Sequence, residues 1–339
     1  MKRVFLVALL LVLSAAPRAA SGPEIWFCPG PGTLDYTQLF ERADEWRHAR
    51  EAVSVFKFYQ QHTSSIPDSV NGPNTYDVLA HAGAFSTVIG WGKKIALEVG
   101  AVKEQYCTAD ASGMNRAIAA TVASVQAVER AGGKVSYLAM DEPFVAGRAA
   151  VCGGPALEPT ADRIATYTRG VRAAVTGVSL GMIEAYPFSS EAQIEAMLEL
   201  LRVRGVSPAF LHMDIDVNAI RVFKVDMTGD LRRLKAVAAS QHLPFGIIVW
   251  GNNGDADALY AQDAGKLLNA VVEAFPTSKD LPDQIIVQSW AESKTGLRIT
   301  PTNLPEDAEF THTNLLWEFF RRLRGMTGAA TGTATPRRH

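Results

Sequence analysis

Cysteine is scarce. Only Cys28, Cys107 and Cys152 occur, too few for a disulfide scaffold and without the paired spacing of a zinc site. Basic blocks are missing too: Lys plus Arg number 33 against 35 for Asp plus Glu, and basic residues adjoin only in pairs such as Arg232-Arg233. That balance disfavours nucleic-acid binding through a basic face. The apolar run from Val4 to Leu13 falls well short of the roughly 20 residues that span a bilayer, and no later stretch is apolar enough to insert stably. No Gly-x-Gly-x-x-Gly occurs and no strand-end lysine stands out apart from Lys57, so nothing indicates a flavin, nicotinamide or pyridoxal cofactor. What remains is 47% hydrophobic and 20% charged, a globular balance that argues against disorder, collagen and coiled coil.

The amino terminus has the pattern of a targeting leader. Lys2 and Arg3 precede Val4 to Leu13, and small residues follow at Ser14, Ala15 and Ala16, then at Ala19, Ala20 and Ser21. A leader over 1–21, removed on export, predicts a secreted or periplasmic protein. Loss of Lys2, Arg3 and Arg18 takes the formal charge from −2 to −5.

Short β-rich apolar runs then recur, each followed by a turn and an amphipathic stretch, the signature of βα units and a parallel sheet. Strands are expected over Glu24 to Cys28, Val53 to Tyr59, Lys94 to Val99, Val135 to Met140, Val178 to Ala185, Phe210 to Val217, Phe245 to Trp250 and Ile285 to Trp290. Helices are expected over Leu34 to Arg50, Thr75 to Gly90, Met114 to Arg130, Ala161 to Val175, Glu191 to Arg204, Asp230 to Ser240, Asp255 to Ala274 and Thr311 to Arg324. Thr33, Ser112, Thr160 and Ser189 are candidate caps. Eight strands alternating with eight helices predict an α/β fold, a single (β/α)8 TIM barrel spanning 22–324. An open doubly wound sheet fits less well, because the first strand runs into Cys28-Pro-Gly-Pro-Gly32, whose prolines lack the N–H groups a phosphate cradle needs. From Gly325 the composition shifts to Gly, Ala and Thr, which predicts a frayed tail over 325–339. Cys107 and Cys152 fall on adjacent loops at one end of the barrel, where export would permit a bridge.

In a barrel the active site lies at the carboxyl ends of the strands. Alternation in Phe210 to Val217 leaves His212, Asp214 and Asp216 pointing inward. On the fourth strand Leu138, Met140 and Glu142 share a face, with Asp141 on the other and Pro143 ending the strand. Glu98 and Glu184 hold corresponding places on the third and fifth strands. The eighth adds Gln288, Trp290 and Glu292, the seventh Trp250 and Asn252, and the second Lys57 and Tyr59. The expected mouth is an acidic cup walled by aromatics.

Crowded carboxyls raise one another's pKa, so one holds a proton while its neighbour stays ionised. Glycoside hydrolysis needs such a pair. Trp250 and Trp290 offer flat faces to sugar C–H groups, and Lys57, Tyr59, Asn252 and Gln288 offer hydrogen bonds to hydroxyls. Asp141-Glu142-Pro143 resembles the Asn-Glu-Pro at the end of the fourth strand in the large clan of barrel glycoside hydrolases, and that resemblance implies Glu142 as general acid. The chain departs from the clan where the nucleophile should close the seventh strand: Val249-Trp250-Gly251-Asn252-Asn253 holds no acid before Asp255. The second carboxylate is therefore sought on the sixth strand, at Asp214 or Asp216. Glu184 is a further catalytic candidate; Glu98, Glu292, Asp141 and His212 are expected to bind substrate or tune charge.

Two other classes use the same residues. Glu98, Glu142 and Glu184 end consecutive strands as metal ligands do in enolase-type barrels, and His212 with Asp214 resembles a sugar-isomerase ligand set; no capping domain and no His-x-His on the first strand accompany them. A non-catalytic sugar-binding barrel is the third reading. The partner is a carbohydrate in the first and third, and a sugar or sugar acid in the second.

Overall fold

The structure, a computed structural model, describes residues 22–108, 110–296 and 299–328. The leader over 1–21 and the tail beyond residue 328 lie outside the described residues. Eight parallel strands close into one barrel in chain order: β1 (Glu24–Cys28), β2 (Val55–Tyr59), β3 (Lys94–Val99), β4 (Val135–Asp141), β5 (Ser179–Tyr186), β6 (Leu211–Ile215), β7 (Phe245–Val249) and β8 (Gln284–Gln288). Every boundary falls within two residues of the sequence expectation, because each strand is a run of apolar residues stopped by a turn former. A two-stranded antiparallel ribbon, β9 (Ala291–Glu292) with β10 (Ile299–Thr300), follows the barrel's last strand.

The helices differ more. The expected first helix is broken into α1 (Gln38–Glu41), a 3-10 turn (Ala43–Trp46) and α2 (Arg47–Ala52). The break lets Trp46 turn inward, where its indole N–H donates to Leu39 O at 2.8 Å and its ring meets Phe27. The second is split into α3 (Tyr76–His81) and α4 (Ala84–Gly90) by Gly83 at φ +63°, a left-handed residue that a continuous helix cannot contain. Then come α5 (Ser112–Arg130), a short α6 (Pro143–Gly147), α7 (Leu157–Ala174), α8 (Glu191–Val203), α9 (Val217–Phe223), α10 (Met227–Ser240), α11 (Asp257–Ala274) and α12 (His312–Gly328). Ser190 caps α8, not Ser189: its hydroxyl accepts from Gln193 N at 3.3 Å. The final helix continues to Gly328, four residues beyond the predicted barrel boundary. Among the described residues no helix is long and apolar enough to cross a membrane.

Residues paired across parallel strands point to the same face. Lys57 pairs with Ala96 and Tyr59 with Glu98, Glu98 with Ala139, Asp141 with Ile183, Ile183 with His212, and Asp214 with Ile248; these line the barrel interior. Its lower half is filled with rings. Trp26 meets Tyr137, Phe210 and His212 at centroid distances of 5.0, 5.3 and 4.9 Å. Gly181 leaves space for Phe210, whose ring lies 2.3 Å from where a Cβ would stand. The opposite face carries Phe27, Phe56 and Phe58, which pack against the helices.

Cys107, on the loop after β3, is bridged to Cys152, on the segment after α6. Cys28 is buried and free.

Candidate functional site

A cleft of about 730 Å³ opens at the carboxyl ends of the strands, lined among others by Glu98, Asp141, Glu142, Asp214, Gln288 and Trp290. Two of these, Asp141 and Glu142, are adjacent in the chain, so plain alternation would send them to opposite faces. Tyr137, Ala139 and Asp141 are the inward residues of β4, reversing the predicted face. Glu142 joins them because its backbone is left-handed, at φ 47° and ψ 45°, a conformation uncommon for a residue with a side chain. Its N–H donates to Ile183 O at 3.0 Å and its carbonyl accepts from Ala146 N at 2.9 Å, which fixes the turn from β4 into α6.

Lys103 stands over both acids. Its Nζ lies 2.9 Å from Asp141 Oδ2 and 3.3 Å from Glu142 Oε2. Beneath, the fully buried Lys57 Nζ lies 2.5 Å from Glu98 Oε2. Gln288 Nε2 donates to the same carboxylate oxygen at 3.0 Å and to Tyr59 Oη at 2.9 Å, and Tyr59 Oη donates to Ser289 O at 2.9 Å. Gln288 Oε1 and Asp214 Oδ1 are buried without a hydrogen-bond partner among the described residues, in a cleft where an incoming ligand could supply one.

The acids do not titrate alike. Burial, then the charges of Glu142, Glu98 and Asp141, push the Asp214 carboxyl well above the usual range, with Lys57 opposing. Burial and the charge of Glu98 lift Asp141, Lys103 opposes, and Glu142 adds to the rise, to about 7. For Lys57 burial is the largest single effect and favours the neutral amine, but the charge of Glu98, its hydrogen bond and the neighbouring Cys28 and Asp141 together outweigh it and the ammonium is held. Lys103 behaves in the same way: burial is overcome by Asp141 and Glu142. The mouth thus combines proton-holding acids with fixed ammonium charges.

Other predicted residues lie elsewhere. Glu184 is fully buried on the outward face of β5, where its carboxyl oxygens accept from Phe144 N at 2.9 Å and Val145 N at 3.3 Å. It caps α6 and does not line the cleft; the reading that aligned it with Glu98 placed it one residue out of phase. Asp216 caps α9, its Oδ1 accepting from Asn218 N at 2.9 Å and Ala219 N at 3.0 Å, with Asn252 Nδ2 at 3.3 Å. His212 faces inward but one layer down, with Nε2 2.8 Å from Gln284 Oε1, and burial lowers its pKa to about 3. Trp250 is buried behind Trp290, with ring centroids 4.3 Å apart, so Trp290 alone of the two lines the cleft. Glu292 is exposed on β9 and is not part of the lining. Glu98, Glu142 and Glu184 therefore do not converge. Among the described residues no group of three or more His, Cys, Asp or Glu is arranged to hold a metal ion.

Lys103 is the residue that sequence reasoning missed. It sits in a polar loop, where a lysine has no local mark of function; its one distinguishing feature is Cys107, four residues on.

A closed eight-stranded parallel barrel with helices outside is a TIM barrel. No family model and no curated protein matches the chain. The fold is similar to a GH5_18 protein of Streptomyces cattleya solved with GlcNAc, at TM-score 0.53 and 12% identity over 93% of this chain and 82% of that one. It is also similar to an L-ribulose 3-epimerase, at TM-score 0.52 and 14% identity over 91% and 99%. Against a glucosidase of Croceicoccus marinus the match covers 83% of this chain and spans 63% of that one, at 14% identity and TM-score 0.49.

Proposed function

We propose that the barrel mouth hydrolyses glycosidic bonds in an oligosaccharide or polysaccharide, with Glu142 and Asp214 as the working carboxyls. The observation that carries this reading is Asp214: an inward acid, its Oδ1 unpartnered, its proton held by burial and by three neighbouring acids, in the same cleft as Glu142. A carboxyl that keeps its proton near neutrality is the donor to a leaving oxygen, and a neighbouring carboxylate is what attacks the anomeric carbon or activates water. The resemblance at Asp141-Glu142-Pro143 implies Glu142 as the acid, whereas the raised carboxyl of Asp214 and the Lys103 ammonium beside Glu142 favour the opposite division. Asp214 donates the proton; Glu142, paired with the Lys103 ammonium at 3.3 Å, acts as the carboxylate. Trp290 supplies an apolar face for a sugar ring, and Gln288 Oε1 a free acceptor for a hydroxyl. The leader pattern over 1–21 supports export and hence an external polymer as substrate.

The test is release of new reducing ends from a panel of plant, fungal and bacterial polysaccharides by wild type, wild type with chelator, Glu142→Gln and Asp214→Asn. Both substitutions are near-isosteric, and each is expected to lower turnover about 100-fold or more with the circular dichroism spectrum unchanged. Folded variants that keep wild-type turnover overturn the assignment. Activity lost to chelator alone replaces it with a metal-dependent reaction.

A further inference from the structure

Asp141 and Glu142 are tied to Lys103 by a closed circuit of structure. From Glu142 the chain enters α6 at Pro143, passes a 3-10 turn at Ala150–Cys152, and at Cys152 crosses by the disulfide to Cys107. From Cys107 the loop runs back through Glu104–Tyr106 to Lys103, whose Nζ returns to Asp141 Oδ2 and Glu142 Oε2 at 2.9 and 3.3 Å. Within the loop, Cys107 N donates to Glu104 O at 2.9 Å, Tyr106 N to Lys103 O at 2.9 Å and Lys103 N to Gly100 O at 2.8 Å. The lysine therefore projects from a turned segment fastened at its far end by a covalent bond.

We propose that Lys103 is a positioning residue which sets the charge state of Asp141 in the Asp141–Glu142 pair, and that the Cys107–Cys152 bridge holds it there. The inference deepens the proposed glycosidase reading, since that pair lies in the same cleft. The titratable groups facing the two acids are Glu98 and Lys57 from the neighbouring strands, Asp214 from β6 and Glu184 behind α6, both pushed by burial toward the protonated form, and Lys103 above. Burial and the charge of Glu98 favour protonation of Asp141, Lys57 lies deeper and is already matched by Glu98 at 2.5 Å, and Lys103 is the cation that touches both acids. An opposite charge at this range shifts a carboxyl by about 1 to 3 pH units.

The readout is the titration of Asp141 by carbon-13 NMR on protein labelled at the aspartate carboxyls, with Asp141→Asn assigning the signal; it needs no substrate. Lys103→Met is expected to move the Asp141 midpoint upward by about one pH unit or more, and Lys103→Arg to restore it toward wild type. The double variant Cys107→Ser, Cys152→Ser, which keeps the lysine but frees the loop, should move the midpoint in the same direction by a smaller amount. Thermal melts report whether each variant is folded. A folded Lys103→Met protein whose Asp141 titrates as in wild type overturns the proposal, and a double variant with an unmoved midpoint overturns the role of the bridge. An absence of turnover in wild type would sink the glycosidase reading and leave the titration test intact.

Discussion

An ammonium group at the centre of a barrel is costly unless an anion meets it, and Lys57 is met by Glu98 at 2.5 Å with Gln288 bonded to the same carboxylate. Removing one member of a buried pair leaves the other uncompensated, at about 3 to 5 kcal/mol, whereas removing both is often close to neutral. Lys57→Met is therefore expected to destabilise the fold by roughly 3 to 5 kcal/mol, and the double variant Lys57→Met, Glu98→Leu to recover most of that. Urea unfolding at neutral pH measures both. A single variant costing less than about 1 kcal/mol would mean that Glu98 simply takes up a proton in place of its partner. The same pair holds the Lys57 ammonium charged and fully buried, whereas a lysine that attacks a carbonyl must be neutral and within reach.

At the scale of elements, α6 is the part on which the site turns. It has only five residues, Pro143–Gly147, too few to be stable without tertiary support, and Glu184 supplies that support through Phe144 N and Val145 N. Glu184→Ala is expected to cost about 1 to 2 kcal/mol, as for loss of a helix cap, and to lower turnover by loosening Glu142. Glu184→Gln keeps an acceptor oxygen and should retain most of both. If Glu184→Gln abolished turnover in a stable protein, the carboxyl itself would be acting on substrate. The sequence misled here for a physical reason. In Leu180-Gly-Met-Ile-Glu184 apolar residues occupy both faces, as they do in any strand buried on both sides, so alternation had no polar face to lock onto. The inward residue is Gly181, small because Phe210 fills the space beside it. On β6, by contrast, the polar residues His212 and Asp214 mark the inner face correctly, and only Asp216, past the strand's end at Ile215, escapes the pattern as a cap. Strand positions were legible because each is a run between turn formers. Glu142 reaches the mouth by a left-handed backbone and Lys103 by a loop, and neither leaves a periodic trace.

Across the whole molecule, buried titrating groups pull stability in opposite directions with pH. His62, His212 and His312 are held neutral by burial, with pKa values lowered to about 4, 3 and 3. Unfolded, each takes a proton near pH 6.5, so what they contribute to stability is present above that pH and is lost as pH falls toward their folded values. Asp141, Asp214 and Glu184 act in reverse. Their folded pKa values are raised, so their contribution is present below the unfolded carboxyl range and is lost as pH rises through the folded values. Between about pH 4 and 6.5 the two sets oppose one another, and the net dependence is shallower than either alone. Removing one histidine exposes the hidden slope. His312 is the natural choice: it is fully buried between Phe27 and Tyr260, and neither ring nitrogen has a hydrogen-bond partner among the described residues. His312→Phe removes a group that the unfolded chain protonates at pH 5 and the folded chain does not, a difference of about 2 kcal/mol at that pH and close to zero at pH 7.5. Urea unfolding of the variant and wild type at the two pH values should thus show the variant gaining about 2 kcal/mol relative to wild type on acidification, whatever repacking changes at pH 7.5. A pH-independent difference between the two proteins would mean that His312 takes up its proton while folded, and that the aromatic packing around it opens to admit water.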